Sequence, residues 1–172
     1  MEKIIAHIND TNIWLPFEEF ESKMNVAGKA IVIDNNDHIA IIHSKKYWWY
    51  KLPWWHIDDW ENEQEAVIRE CKEEIWCDIA IKKKIGIIIE ERFREKYKKI
   101  SHYFICFIQW EKGEPNFMKS EIDEELEILR IPTYNLVEKF NQKDGKNQER
   151  IFVQLRDQYV IQEFINKYSS VH

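Results

Sequence analysis

The sequence predicts an α/β (α+β) fold in which helices cover a mixed β-sheet, and three observations carry that expectation. Apolar, β-branched runs such as Ala27–Asp34 (AGKAIVID) and His38–His43 (HIAIIH) flank the turn residues Asn35-Asn36-Asp37, the pattern of a β-hairpin. Over Glu63–Ile75, Val67, Cys71 and Ile75 recur at i, i+4 and i+8 with charges on the other side, the spacing of a helix with one buried face. Strand and helix segments interleave without strict alternation, which suits helical layers on a mixed sheet.

Taken in order, Ile4–Ile8 is a short apolar piece followed by a polar, acidic connection to residue 23. The hairpin comes next, and Tyr47–Pro53 is aromatic and extended, ending at a proline. Asn62 is placed to cap the helix, because its short side chain can take up an unpaired backbone N–H. Asp78–Phe93 and Ile100–Gln109 read as two long strands joined by a basic loop, Arg94–Lys99. Residues 111–125 form a polar, acidic loop, and Leu126–Ile131 a short strand. Pro132 is expected to open a helix reaching Phe140, since the first helical position has no need of an N–H. Asn141–Asn147 is a polar break, and Glu149–Tyr168 a closing amphipathic helix.

Composition narrows the function. A chain of 172 residues can bury a sizeable core without staples. Its net charge of −6 argues against a nucleic-acid polymer held by charge alone. Cys71, Cys77 and Cys106 form no C-x-x-C pair, which points to a reducing compartment rather than a disulfide framework. The longest apolar stretches, such as Ile85–Ile89, are far too short to span a bilayer, and the first residues lack the layout of a signal peptide. The expectation is a soluble cytoplasmic globular protein.

The stretch that carries chemistry is Leu52–Ile79, LPWWHIDDWENEQEAVIRECKEEIWCDI. Glu70, Glu73 and Glu74 stand at i, i+3 and i+4 and therefore share one helix face. Like charges so close destabilise a bare helix, so a helix that keeps them is suited to neutralising something. A hard divalent cation with oxygen ligands is one candidate. A solvated acidic face with lysine and arginine partners is the other, and on these three residues alone both readings stand.

The wider spacing resembles the Nudix hydrolase signature, G-x5-E-x7-R-E-U-x-E-E-x-G-U. Glu61, Arg69, Glu70, Glu73 and Glu74 fall at its charged positions, and Cys71 and Cys77 fill two places for bulky apolar residues. Leu52-Pro53 before it and His56-Ile57-Asp58-Asp59 within it resemble the usual loop. The match runs from Trp55 to Cys77. The resemblance implies a Nudix-type α/β/α sandwich over about 25–141, preceded by an N-terminal strand and connection over 1–24. Residues 142–172 would be a helical extension packed on that domain.

It also implies an Mg²⁺- or Mn²⁺-dependent hydrolase that cleaves the pyrophosphate of a nucleoside diphosphate linked to another group, or of a nucleoside triphosphate. By position, Glu70, Glu73 and Glu74 would be metal ligands, one of them assisting as general base, with the backbone carbonyl of Trp54 a further ligand. Arg69 and Glu61 would form an ion pair that orients helix and loop. His56 would sit beside the phosphates, or be a plain loop residue. A distant carboxylate would come from Glu121, Glu124 or Glu125, with Glu121 the first choice and simple solubility the alternative. Tyr47, Tyr50, Phe93 and Tyr103 are candidates for stacking on a base, or core residues.

The glycines of the signature are absent. Trp55 and Trp76 occupy both of them, and Trp54 and Trp60 occupy two more places where this loop generally has glycine. Four departures to one residue type imply one cause. The chain has 4 glycines and 8 tryptophans (Trp14, Trp48, Trp49, Trp54, Trp55, Trp60, Trp76 and Trp110), whereas ordinary usage near 7% would give about twelve glycines. UGA codons, read as tryptophan in some lineages and glycine in others, would account for both facts. If the tryptophans are genuine, the expectation shifts to a catalytically inactive Nudix-fold nucleotide-binding or regulatory module. A third reading, five clustered indoles as a stacking platform for sugars or single strands, sits poorly with the acidic balance.

Overall fold

A computed structural model describes residues 2–58, 60–111, 119–141 and 147–168. Eight strands make one mixed sheet: β1 Ile4–Asn9, β2 Met24–Ile33, β3 His38–Ser44, β4 Trp49–Lys51, β5 Trp54–His56, β6 Cys77–Arg92, β7 Tyr97–Glu111 and β8 Leu126–Pro132. The main order is β1-β6-β7-β2-β3-β4, with β5 added to β2 and β8 to β3. β1 runs parallel to β6 and β2 parallel to β7, whereas β6–β7, β2–β3 and β3–β8 are antiparallel. The helices are α1 Glu63–Glu74, α2 Lys119–Asp123, α3 Leu136–Phe140 and α4 Gln148–Tyr168.

Successive strand residues point to opposite faces, and the sheet sorts its apolar residues accordingly. Ala30, Val32, Ala40, Phe104 and Cys106 face α1, where they meet Val67, Cys71 and Ile75. Ile31, Ile33, Ile39, Ile41, Tyr103 and Ile105 face the other way, onto Leu136 and Phe140 of α3 and Phe152, Val160, Ile161 and Phe164 of α4. The result is the α/β/α sandwich expected. α1 lies close against the sheet: a β-carbon on Gly28 would come within 2.9 Å of Val67 Cγ2. Cys71, Cys77 and Cys106 are free thiols buried in the α1-side cluster.

Several boundaries differ from the sequence reading. Pro132 ends β8 instead of opening a helix; a 3-10 turn over Thr133–Asn135 intervenes before α3. The expected basic loop Arg94–Lys99 is shorter, because Tyr97, Lys98 and Lys99 already pair with Arg92, Glu91 and Glu90 in the β6–β7 ladder. Tyr47–Pro53 is extended only over Trp49–Lys51, and β5 is an added short strand inside the signature loop. The acidic loop over 111–125 contains the short helix α2, while 112–118 and most of the break at 141–147 lie outside the described residues. The terminal segments join the same layers, β1 through its ladder with β6 and α4 through its share of the core. No helix among the described residues is long and apolar enough to cross a membrane.

Candidate functional site

The start of α1 is fixed by a reciprocal cap. Asn62 Oδ1 accepts from the backbone N–H groups of Gln64 and Glu65, each at 3.0 Å, and Glu65 Oε2 accepts from the Asn62 N–H at 2.9 Å. The apolar stripe then sets the helix phase, so Glu70, Glu73 and Glu74 are left toward the loop and solvent. Just before the helix, the Asp58 N–H donates to Glu61 Oε1 at 3.0 Å and the Glu61 N–H to the Asp58 carbonyl at 3.1 Å, closing a tight loop around a nearly buried carboxylate.

Arg69 gathers this loop and the helix together. Its Nε and Nη2 donate to the two oxygens of Glu61 at 3.0 and 2.6 Å, a paired fork. Its Nη1 donates to Glu70 at 2.6 Å and to Glu73 at 3.3 Å, and Asp58 Oδ2 lies 3.6 Å from Nη2. The Glu61 hydrogen bonds hold Arg69 above the ordinary arginine range in spite of partial burial. Glu70 is raised: burial outweighs the hydrogen bond and charge of Arg69 beside it. Glu74 turns elsewhere, accepting from the Trp55 indole N–H at 2.6 Å. Trp55 itself is 2% exposed and fills the α1-side core against Val67, Cys71 and Ile75. Among the described residues no three His, Cys, Asp or Glu side chains converge as a closed metal cage. The region is instead an open set of carboxylates, with Asp58, Glu61, Glu70 and Glu73 around the guanidinium of Arg69 and Glu74 against the Trp55 indole.

The remaining sequence candidates lie as follows. The backbone of Trp54 pairs with Lys29 across β5 and β2; the side chains of Trp54 and His56 are outside the described residues. Glu121 lies in α2, its side chain also outside. Glu124 and Glu125 are tied by their backbone carbonyls to Ser44 Oγ at 2.8 Å and the Lys45 N–H at 3.2 Å, at the far end of β3. Tyr103 is fully buried and Tyr50 nearly so, stacked on His43 with ring centroids 4.5 Å apart.

On the α4 face the sequence reading missed a second polar region. A cavity of about 450 Å³ opens between β4, the β6–β7 turn end and the start of α4. Its basic residues are Lys51, Arg92, Lys99, Arg150 and Arg156; Glu95, Glu124 and Glu149 stand among them, with Trp49 and Tyr97 supplying ring faces. Behind it, Lys29 Nζ donates to Asp157 Oδ1 at 2.9 Å, and Asp157 Oδ2 accepts from the Leu52 N–H at 2.8 Å, with all three residues fully buried. Arg156 binds Glu90, which also accepts from Arg92 Nε at 2.5 Å. Burial, reinforced by the charge of Arg156, pulls Lys29 down to about 7 and Lys99 to about 6. Glu90 is held below the ordinary carboxylate range because Arg156 and Arg92 outweigh its burial. Positions 29, 90, 92 and 99 look like ordinary strand or loop charges in the sequence, and α4, which completes the network, is far away along the chain.

No family model matches the chain, and no curated protein matches it in sequence. Its fold does match solved structures. A NUDIX hydrolase from Nitrosomonas europaea superposes with a TM-score of 0.58 at 13% identity, over 80% of this chain and 90% of that one. The MutT protein from Methanosarcina mazei Go1 gives 0.58 at 15% identity, over 87% and 99%. A NUDIX-family hydrolase from Clostridium perfringens gives 0.54 at 14% identity, over 80% and 96%. The chain therefore has the Nudix fold.

Proposed function

We propose that this protein is a Nudix-type pyrophosphohydrolase. It would cleave the pyrophosphate of a nucleoside triphosphate or of a nucleoside diphosphate linked to a second group, using Mg²⁺ or Mn²⁺. The observation that carries this reading is the concentration of carboxylates around α1: Arg69 is shared among Asp58, Glu61, Glu70 and Glu73, and Glu74 accepts from the Trp55 indole beside them. The solved neighbours being hydrolases of the same fold adds support.

An all-oxygen donor set on one helix face fits a hard divalent cation, which keeps several waters and shares itself with substrate phosphates. Burial that raises Glu70 is a second sign of fit, since a nearby cation would offset that cost. Glu70, Glu73, Glu74 and the Trp54 carbonyl would hold the ion. When bound, it would screen the phosphates and lower the pKa of a coordinated water. In this reading the chain's own groups do the rest. Glu61 and Arg69 lock loop to helix, so that the carboxylates keep their spacing. One glutamate of the helix takes the proton of the attacking water, and Glu121 is the candidate for a distant ligand or base. Such a protein would work in the cytoplasm on small molecules.

The test is release of phosphate or nucleoside monophosphate from a nucleotide panel, with and without Mg²⁺. Glu74→Gln removes a charged ligand at constant volume and should lower turnover about 100-fold or more while circular dichroism is unchanged. Near-normal turnover of Glu74→Gln at limiting metal would remove Glu74 from the role given it. One observation favours a second reading: the Trp55 indole already occupies Glu74. A chain with a genuine Trp55 would bind nucleotide without turning it over, which equilibrium binding measured beside the hydrolysis assay separates from an enzyme.

A further inference from the structure

We infer that the eight tryptophans of this sequence are glycines in the working protein, encoded by UGA read as glycine. Backbone conformation is the first ground. Among the described residues, six non-glycine positions have φ in the left-handed region, and three of them are tryptophan: Trp14 at 65°, Trp48 at 56° and Trp76 at 53°. That region crowds any β-carbon and costs glycine nothing. All three positions end a turn or helix. Trp76 follows the cap residue Ile75 directly after α1, the place where helices most often finish on glycine. Trp14 closes the 3-10 turn over Asp10–Ile13, its N–H donating to the Thr11 carbonyl at 3.1 Å. Trp48 closes a turn back to the Ser44 carbonyl at 2.8 Å.

Packing is the second, independent ground. Trp14, Trp48, Trp60 and Trp110 are 94%, 75%, 80% and 66% exposed, so these four indoles contribute little core. The indole N–H groups of Trp49 and Trp76 are buried without an acceptor among the described residues, a cost that native interiors rarely carry. Trp55 is well buried and hydrogen-bonded, and its partner is Glu74. Glycine at 55 vacates that space and removes the indole N–H from Glu74.

A single codon reassignment explains all eight positions together, whereas separate substitutions would scatter over several residue types. It also restores the glycine share from 4 residues to the ordinary level of about 7%.

The inference does not depend on the proposed activity, and its test reads mass and codon. Tryptic peptides of the native protein would carry the positions in groups: Tyr47–Lys51 holds Trp48 and Trp49, Leu52–Arg69 holds Trp54, Trp55 and Trp60, and Glu73–Lys82 holds Trp76. The expected result is a glycine mass at each of these positions and UGA at each codon. UGG codons, or tryptophan masses in these peptides, overturn it. Turnover is then compared between the sequence as it stands and the chain with all eight Trp→Gly exchanges. If native masses show glycine and the exchanged chain is inactive, the activity fails and this inference stands; if they show tryptophan, this inference falls whatever the turnover.

Discussion

The two faces of the sheet handle charge in opposite ways. Beneath α4, Lys29, Glu90, Arg92, Arg156 and Asp157 are all nearly or fully buried and bound to one another or to backbone, with Lys99 nearly buried among them. Beside α1, the core under the helix is apolar and the carboxylates sit at its rim, held by the partly exposed Arg69 and by the Trp55 indole. Charges sealed in a low-dielectric interior are fixed by the cost of leaving any of them unpaired. Charges at a rim can exchange partners cheaply. The α4 network is therefore suited to holding the fold and shaping one wall of a cavity, and the α1 rim to binding and releasing something charged.

The comparison breaks most readily at Arg156. Arg156→Leu takes one of its two guanidinium partners from the buried Glu90, and should cost about 3–5 kcal/mol in urea unfolding, whereas Glu90→Leu together with Arg156→Leu should recover much of it. A single-variant loss below about 1 kcal/mol would mean the network is wet and loosely held. Next comes pH. Lys29 titrates at about 7 and Lys99 at about 6 in the folded chain, below their unfolded values, so between those limits the unfolded chain binds more protons. Stability should therefore be lowest below about pH 6 and rise toward pH 9, and Lys29→Met should flatten that rise when unfolding is followed across the range. On the other face, Arg69→Met should cost less, about 1–3 kcal/mol, through loss of the paired fork to the nearly buried Glu61. A larger loss than that of Arg156→Leu would reverse the ranking of the two faces. Smallest is Asn62→Ala, which removes the α1 cap for about 1 kcal/mol, read as a lowered denaturation midpoint.

The two faces also differ in how far they were legible. The α1 rim is written in one segment: the i, i+3, i+4 carboxylates, the Asn62 cap and the Val67, Cys71, Ile75 stripe all lie within 14 residues of one another, and local periodicity finds them. What that segment hides is the turn of Glu74 toward Trp55, since a side chain's partner across a loop follows from packing. The α4 network is not local at all. Lys29 meets Asp157 at a separation of 128 residues, and Glu90 meets Arg156 at 66. Alternation in a strand assigns charged positions to solvent unless a distant element supplies partners, which is why Lys99 reads as part of a basic loop. The two-layered covering of the sheet was legible, because β-branched runs and helical stripes each report a buried face without reference to what covers it. Pro132 was misread because proline serves equally at the end of an edge strand and at the start of a helix.

The three cysteines give the α1 face a clock. Cys71, Cys77 and Cys106 are each fully buried, and burial pushes the Cys106 thiol up to about 12 and the Cys71 thiol well above its usual value. Alkylation requires an accessible thiolate, so a reagent in solution should find none while α1 rests on the sheet. Each modification then records one lifting of the helix, and a chain that carries carboxylates on that helix reports, through its sulfur chemistry, how often they leave their places.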